Sequence, residues 1–188
     1  GPGDVDLITV KGRDTLANAD VVIYAGSLVA KEHMDYCKED ALIYNSAKMT
    51  LEEVIEVMND NKDKVIVRLH TGDPAIYGAI KEQMDELVKL NIKYEVVPGV
   101  SSFTAAAAAI KKELTLPRVT QTIILTRIEG RTPVPETEDL EKLAQVGATM
   151  CIFLSISMID KVVEKLRMGY GRNVPIAIVE RATWENER

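Results

Sequence analysis

The stretch Leu69-His70-Thr71-Gly72-Asp73-Pro74-Ala75-Ile76-Tyr77-Gly78 decides how this chain is read. Ahead of its turn, Val65, Ile66, Val67 and Leu69 form a short β-branched run without helical period, the mark of a buried strand. Thr71 and Gly72 turn the chain, Asp73 stands where a helix N-cap belongs, and Pro74 occupies the first helical position. The spacing predicts a helix from Pro74 to Leu90, with Ile76, Ile80, Met84, Leu87 and Val88 on one stripe. A strand that enters a helix through such a turn bares main-chain N–H groups, a pocket for an anion or a ligand carboxylate. Helix capping alone accounts for Asp73 equally well.

On either side the same alternation continues. The pattern predicts a helix over Thr9–Asn18, a strand over Val21–Tyr24, a short helix over Lys31–Lys38 and a short strand over Ala41–Tyr44. Thr50 with Glu53 forms a capping box opening a helix through Met58. Tyr94–Val97 reads as the next strand, broken by Pro98 and Gly99, and Ser101 or Ser102 caps the small-residue helix Ala105–Ala109. A second series follows: strand Thr122–Thr126, loop Arg127–Pro135, helix Glu136–Val146, strand Thr149–Leu154, helix Ile156–Met168 and strand Ile176–Val179. Strands alternating with helices predict an α/β protein, and both the Thr-Gly-Asp-Pro and Pro-Gly-Val-Ser-Ser turns fall at carboxyl ends of strands, where open α/β sheets hold ligands. Polar Lys111–Arg118, with Pro117, divides the chain into expected domains at residues 1–112 and 119–188.

A chain of 188 residues can bury a sizeable core. Its 46% hydrophobic and 28% charged residues are ordinary for a globular protein, and a net charge of −6 argues against a nucleic-acid partner held through phosphates while leaving an acidic ligand open. Cys37 and Cys151 are too few for a disulfide framework, which points to a reducing, cytoplasmic setting. No apolar run nears the roughly 20 residues of a membrane span, and no signal-peptide pattern opens the chain. Gly1 stands without an initiator Met and Trp184–Arg188 lacks a stop signal, so truncation at both ends is expected.

The chemical motifs narrow the field further. Neither G-x-G-x-x-G after a strand nor a P-loop is present, and no G-x-S-x-G elbow accompanies His33 or His70, the only histidines. His33 and Cys37 share a helical face but lack a third ligand, so no metal is expected. His70 can act in catalysis or simply bond a neighbouring carbonyl. Glycine-bearing turns at strand ends, with few acid or base groups, suit an enzyme that aligns two reactants rather than relaying protons. Methyl transfer from a sulfonium is such a reaction, and no catalytic side chain is assigned.

Six segments occur in order: G-P-G-D at the start, Tyr24–Val29 (Y-A-G-S-L-V), His70–Gly78, Val97–Phe103 (V-P-G-V-S-S-F), Arg127–Glu136 (R-I-E-G-R-T-P-V-P-E) and Arg181–Trp184 (R-A-T-W). Together they resemble the tetrapyrrole methylases, and within that family the branch that methylates carbon 11 of precorrin-4 or cobalt-precorrin-4 in cobalamin synthesis. The resemblance implies two α/β domains with S-adenosylmethionine in the cleft between them, S-adenosylhomocysteine as product, and a homodimer. It places cofactor contacts on Pro2, Thr71, Gly72, Asp73, Ile76, Ser101 and Ser102, and on Leu154 and Ala182 of the second domain. Arg127, Arg131 and Lys48 become counter-charges for a polycarboxylate substrate. Tyr24 and Tyr77 either lie against the macrocycle or fill the core. The family carries an apolar strand before G-P-G-D, so a central strand of the first sheet is expected to be missing. Another tetrapyrrole C-methyltransferase, or a non-catalytic domain binding S-adenosylmethionine or a tetrapyrrole, shares many of these features.

Overall fold

The structure, a computed structural model, describes residues 1–188. The chain forms two compact units, residues 1–109 together with 179–188, and residues 110–178. The sequence reading assigned residues 179–188 to the second domain; here they pack with the first unit, their main chain bonded to Gly3.

The first unit is built on β1 (Val21–Tyr24), flanked by β2 (Leu42–Asn45) and β3 (Ile66–Leu69) in the order β2-β1-β3, all parallel. Val21, Val22 and Ile23 are fully buried because successive side chains enter two separate cores. Val21 and Ile23 join Val54, Ile55, Met58 and Leu87 on one face, and Val22 joins Leu16 and Ala19 on the other. Helix α1 (Val10–Ala17) is capped by the Thr9 hydroxyl. Helix α2 (Leu51–Asp60) opens with the expected box: Glu53 N–H donates to Thr50 Oγ1 at 3.2 Å and Thr50 N–H to Glu53 Oε2 at 2.7 Å. Lys31–Tyr36 is a 3₁₀ segment.

Three expectations in this unit change. Helix α3 runs Ile80–Lys89 and does not start at Pro74. Residues 74–79 instead coil on themselves, with Tyr77 at φ 55° and Ala79 at φ 50°, and Gly78 folded so tightly on Pro74 that a Cβ would lie 2.1 Å from the Pro74 carbonyl oxygen. Tyr94–Val97 runs without secondary structure and makes no main-chain hydrogen bonds. The outer edge of β3 and these residues instead both line a cavity of about 470 Å³. The Ala-rich helix is α4 (Ser102–Ala109), starting at Ser102.

In the second unit β4 (Ile123–Arg127) and β5 (Thr149–Phe153) pair in parallel, Ile123 opposite Thr149 and Arg127 opposite Phe153. Helices α5 (Leu140–Ala144) and α6 (Ile159–Tyr170) contribute Leu140, Ala144, Val162 and Leu166 to a core that also takes in Ile128, the residue after β4. The expected helix Glu136–Val146 is divided, because Asp139 accepts the Glu141 N–H at 3.0 Å and restarts the chain as a cap after a 3₁₀ turn. Ile176–Val179 forms no strand; Ile176 and Ile178 are exposed.

Amide exchange should report this division. Val22 and Ile23 are expected among the slowest amides, with Tyr94–Val97 at least about tenfold faster; equal protection of the two segments would contradict the unpaired state of residues 94–97.

Candidate functional site

The parallel register sets Tyr24 level with Leu69, so the carboxyl ends of β1 and β3 open on the same side. There the His70–Asp73 turn meets two other pieces of main chain. Gly72 adopts φ +66°, a conformation glycine tolerates without strain. A Cβ on Gly99 would lie 2.2 Å from the Gly72 carbonyl oxygen, and one on Gly1 2.2 Å from the Gly72 nitrogen, so the turns touch backbone to backbone. Asp73 stitches them: Oδ1 accepts the Ala75 N–H at 2.8 Å and Oδ2 the Gly99 N–H at 3.1 Å. It therefore caps a local Asx turn rather than a helix, since α3 starts further on, and the helix-terminus pocket expected from Pro74 is not formed.

The remaining expected cofactor residues are placed around this junction with one exception. Pro2 and Thr71 line the cavity, Ile76 is half-buried with its N–H donating to the Asp73 carbonyl, Ser101 is buried, and Ser102 opens α4. Ala182 is buried in this first unit, and its carbonyl accepts the Gly3 N–H at 3.1 Å. Leu154 belongs to the second unit, where it is exposed at the end of β5 in the left-handed region, φ 54°.

Thr71 Oγ1 is the one buried side-chain polar atom with no hydrogen-bond partner. Buried polar groups are almost always paired, so an orphaned hydroxyl where these turns meet suits a ligand that supplies the partner. Beside it, burial and the positive charge of Arg68 hold the His70 imidazole down to about 4, so it is neutral near pH 7. Arg68 itself has no carboxylate: its guanidinium donates to the Ile23 carbonyl at 3.1 Å and to Gln83 Oε1 at 3.2 Å.

Of the expected substrate residues, Tyr24 is half-buried at the end of β1, its carbonyl accepting the Ser46 hydroxyl, and Lys48 is exposed in the turn after β2. Tyr77 is exposed in the coil after Pro74. Arg127 and Arg131 lie in the second unit; Arg131 is exposed, whereas the Arg127 guanidinium is bonded to main-chain carbonyls.

Two polar anchors escaped the sequence reading. Thr183 Oγ1 accepts both the Gly3 and the Asp4 N–H at 2.9 Å, tying the G-P-G-D loop to R-A-T-W. Ser155 is buried and its hydroxyl accepts the Ile128 N–H at 2.9 Å. The motif R-A-T-W held the first signal; a lone serine after an apolar strand gave the second none.

The sequence profile described as Tetrapyrrole (Corrin/Porphyrin) Methylases matches residues 1–188. The chain belongs to the tetrapyrrole methylase family. It is 58% identical to the cobalt-precorrin-4 C(11)-methyltransferase of Methanocaldococcus jannaschii and 49% identical to that of Priestia megaterium, over all of this chain and 74% of each relative. A solved structure of the cobalamin biosynthetic enzyme cobalt precorrin-4 methyltransferase, CbiF, superimposes with a TM-score of 0.96 at 49% identity, covering all of this chain and 80% of the other. Uroporphyrin-III C-methyl transferase from Thermus thermophilus, complexed with S-adenosyl homocysteine, shares the fold at 24% identity and a TM-score of 0.73, over all of this chain and 78% of the other. This tetrapyrrole methylase is thus a methyltransferase with the two-unit α/β fold of its family.

Two variants test the junction. Thr71→Val removes a hydroxyl that nothing satisfies in the free protein, so thermal stability should hold or rise while S-adenosylhomocysteine affinity falls about tenfold, one lost hydrogen bond's worth; unchanged affinity in calorimetry would detach Thr71 from the ligand. For His70, the folded pKa lies below the unfolded value of 6.5, so the unfolded chain binds the extra proton and stability is lost as pH falls from 6.5 toward 4. His70→Gln should flatten melting temperature against pH across that window.

Proposed function

We propose that this tetrapyrrole methylase transfers a methyl group from S-adenosylmethionine to carbon 11 of cobalt-precorrin-4 or precorrin-4 in corrin assembly. The names carried by relatives at 58% and 49% identity support the substrate. The observation that carries the reading is the junction at Thr71, where an unpaired buried hydroxyl adjoins turns packed main chain on main chain.

Thr71 and Gly72 would hold the cofactor through hydroxyl and backbone, with Pro2, Ile76, Ser101 and Ser102 around them and Leu154 and Ala182 completing the set. When bound, S-adenosylmethionine supplies an electrophilic methyl group on a cationic sulfur: the new carbon–carbon bond forms as the sulfur–methyl bond breaks, and its electron pair stays on sulfur, giving S-adenosylhomocysteine. The chain contributes order and charge balance. Asp73 fixes the two turns against each other, so little reorganisation is left for the reacting state. His70, held neutral, adds no positive charge beside a sulfonium, and the Asp73 carboxylate adds a negative one. The proton released from the macrocycle passes to water, since no side chain is assigned as base. Lys48 and the loop that runs from Arg127 to Arg131 serve the substrate carboxylates, with Tyr24 and Tyr77 against the ring. The enzyme acts in the cytoplasm as a homodimer, with no metal, membrane or nucleic acid involved; no helix is long and apolar enough to cross a membrane.

Incubating the chain with methyl-¹³C S-adenosylmethionine and precorrin-4, with and without cobalt, should place the label at carbon 11 by carbon NMR. Label at another carbon would assign a sister reaction, and tight S-adenosylhomocysteine binding without turnover on any precorrin would assign a sensor. Asp73→Ala should weaken S-adenosylhomocysteine binding by at least about tenfold through loss of both stitches.

A further inference from the structure

Arg127 ends β4, and the chain then makes a loop whose two feet are fixed in different ways. At the near foot Ile128 is buried in the core of the second unit, and its N–H donates to Ser155 Oγ, which itself donates to the Phe153 carbonyl at 2.5 Å. At the far foot the Arg127 guanidinium donates to the Thr132 carbonyl from Nη1 and the Pro133 carbonyl from Nη2, each at 2.9 Å; Nη1 also reaches the Ile128 carbonyl at 3.4 Å. The planar fork thus spans carbonyls of consecutive residues across the mouth of the loop, a geometry that a lysine ammonium cannot copy. Between the feet, Glu129, Gly130 and Arg131 are exposed, and Arg131 makes no ion pair. Arg127 faces no carboxylate either, its fork being spent on main-chain carbonyls.

We infer that Arg127 is a positioning residue: its guanidinium folds residues 128–133 so that Arg131, and not Arg127, meets the carboxylates of the tetrapyrrole. This rests on the functional reading above, which makes the substrate a polycarboxylate. For Arg127 to pair with a substrate itself, its bonds to the Thr132 and Pro133 carbonyls would have to break, and the loop that carries Arg131 would lose its far foot.

Uroporphyrin III, a stable polycarboxylate tetrapyrrole, serves as probe, with binding followed by porphyrin fluorescence in Arg127→Ala, Arg127→Lys, Arg131→Ala and the double Arg127→Ala/Arg131→Ala variants. Each single change should weaken binding about tenfold, with no rescue by Lys, and the double variant should bind no more than about twofold worse than Arg131→Ala, because residues acting through one contact are not additive. Amides of residues 129–132 should exchange faster in Arg127→Ala and unchanged in Arg131→Ala. S-adenosylhomocysteine affinity should stay within about twofold in all variants, which also shows that each is folded. Additive losses, wild-type exchange of the loop in Arg127→Ala, or wild-type uroporphyrin affinity in Arg131→Ala would each overturn the assignment. Failure of the wild-type chain to bind S-adenosylhomocysteine would instead overturn the functional reading.

Discussion

The structure of the first unit depends on a contact between main chains: the Gly72 turn lies directly on Gly99 and on Gly1, closer than any side chain would permit. Asp73 holds that contact by accepting one N–H from its own turn and one from the neighbouring turn. Without side chains at these positions the backbones pack directly on one another, and one carboxylate prevents the turns from drifting apart. Glycine is therefore required at positions 1 and 99 for the close approach, and at 72 for its left-handed conformation.

Beneath the junction, β1 carries the mechanical burden. Its side chains alternate between two cores, and its main chain pairs on both edges. Loops projecting from its carboxyl end and from that of β3 thus start from fixed points, as a site that orients reactants needs. The second unit repeats the device on a smaller scale, with Ser155 joining the end of β5 to the first residue after β4.

Patterns that state their own partner were legible before any coordinates. Val21–Tyr24 coincides with β1 because a run without polar residues fits only a strand covered on both faces, and Thr50 with Glu53 names both halves of its cap. Segments that rely on a distant neighbour were not. Tyr94–Val97 and Ile176–Val179 have strand composition, yet ladder bonds need a second chain segment alongside, and none pairs with them here. Asp73 and Asp139 show the same limit locally: a carboxylate able to cap a helix can equally close a turn, and the outcome depended on Gly99 in one case and on a preceding 3₁₀ turn in the other. Of the site, the turns were visible as motifs, whereas the orphaned Thr71 hydroxyl and the engaged guanidinium of Arg127 are properties of distances.

The two kinds of recognition described here respond differently to the medium. Backbone amides and a hydroxyl carry no net charge, so an uncharged thioether such as S-adenosylhomocysteine seated at Thr71 should be held almost equally in dilute buffer and in brine. Arg131, protruding into solvent, is screened over roughly 8 Å at physiological ionic strength. On the proposed reading, added electrolyte would loosen the grip on an anionic macrocycle first and leave the nucleoside in place.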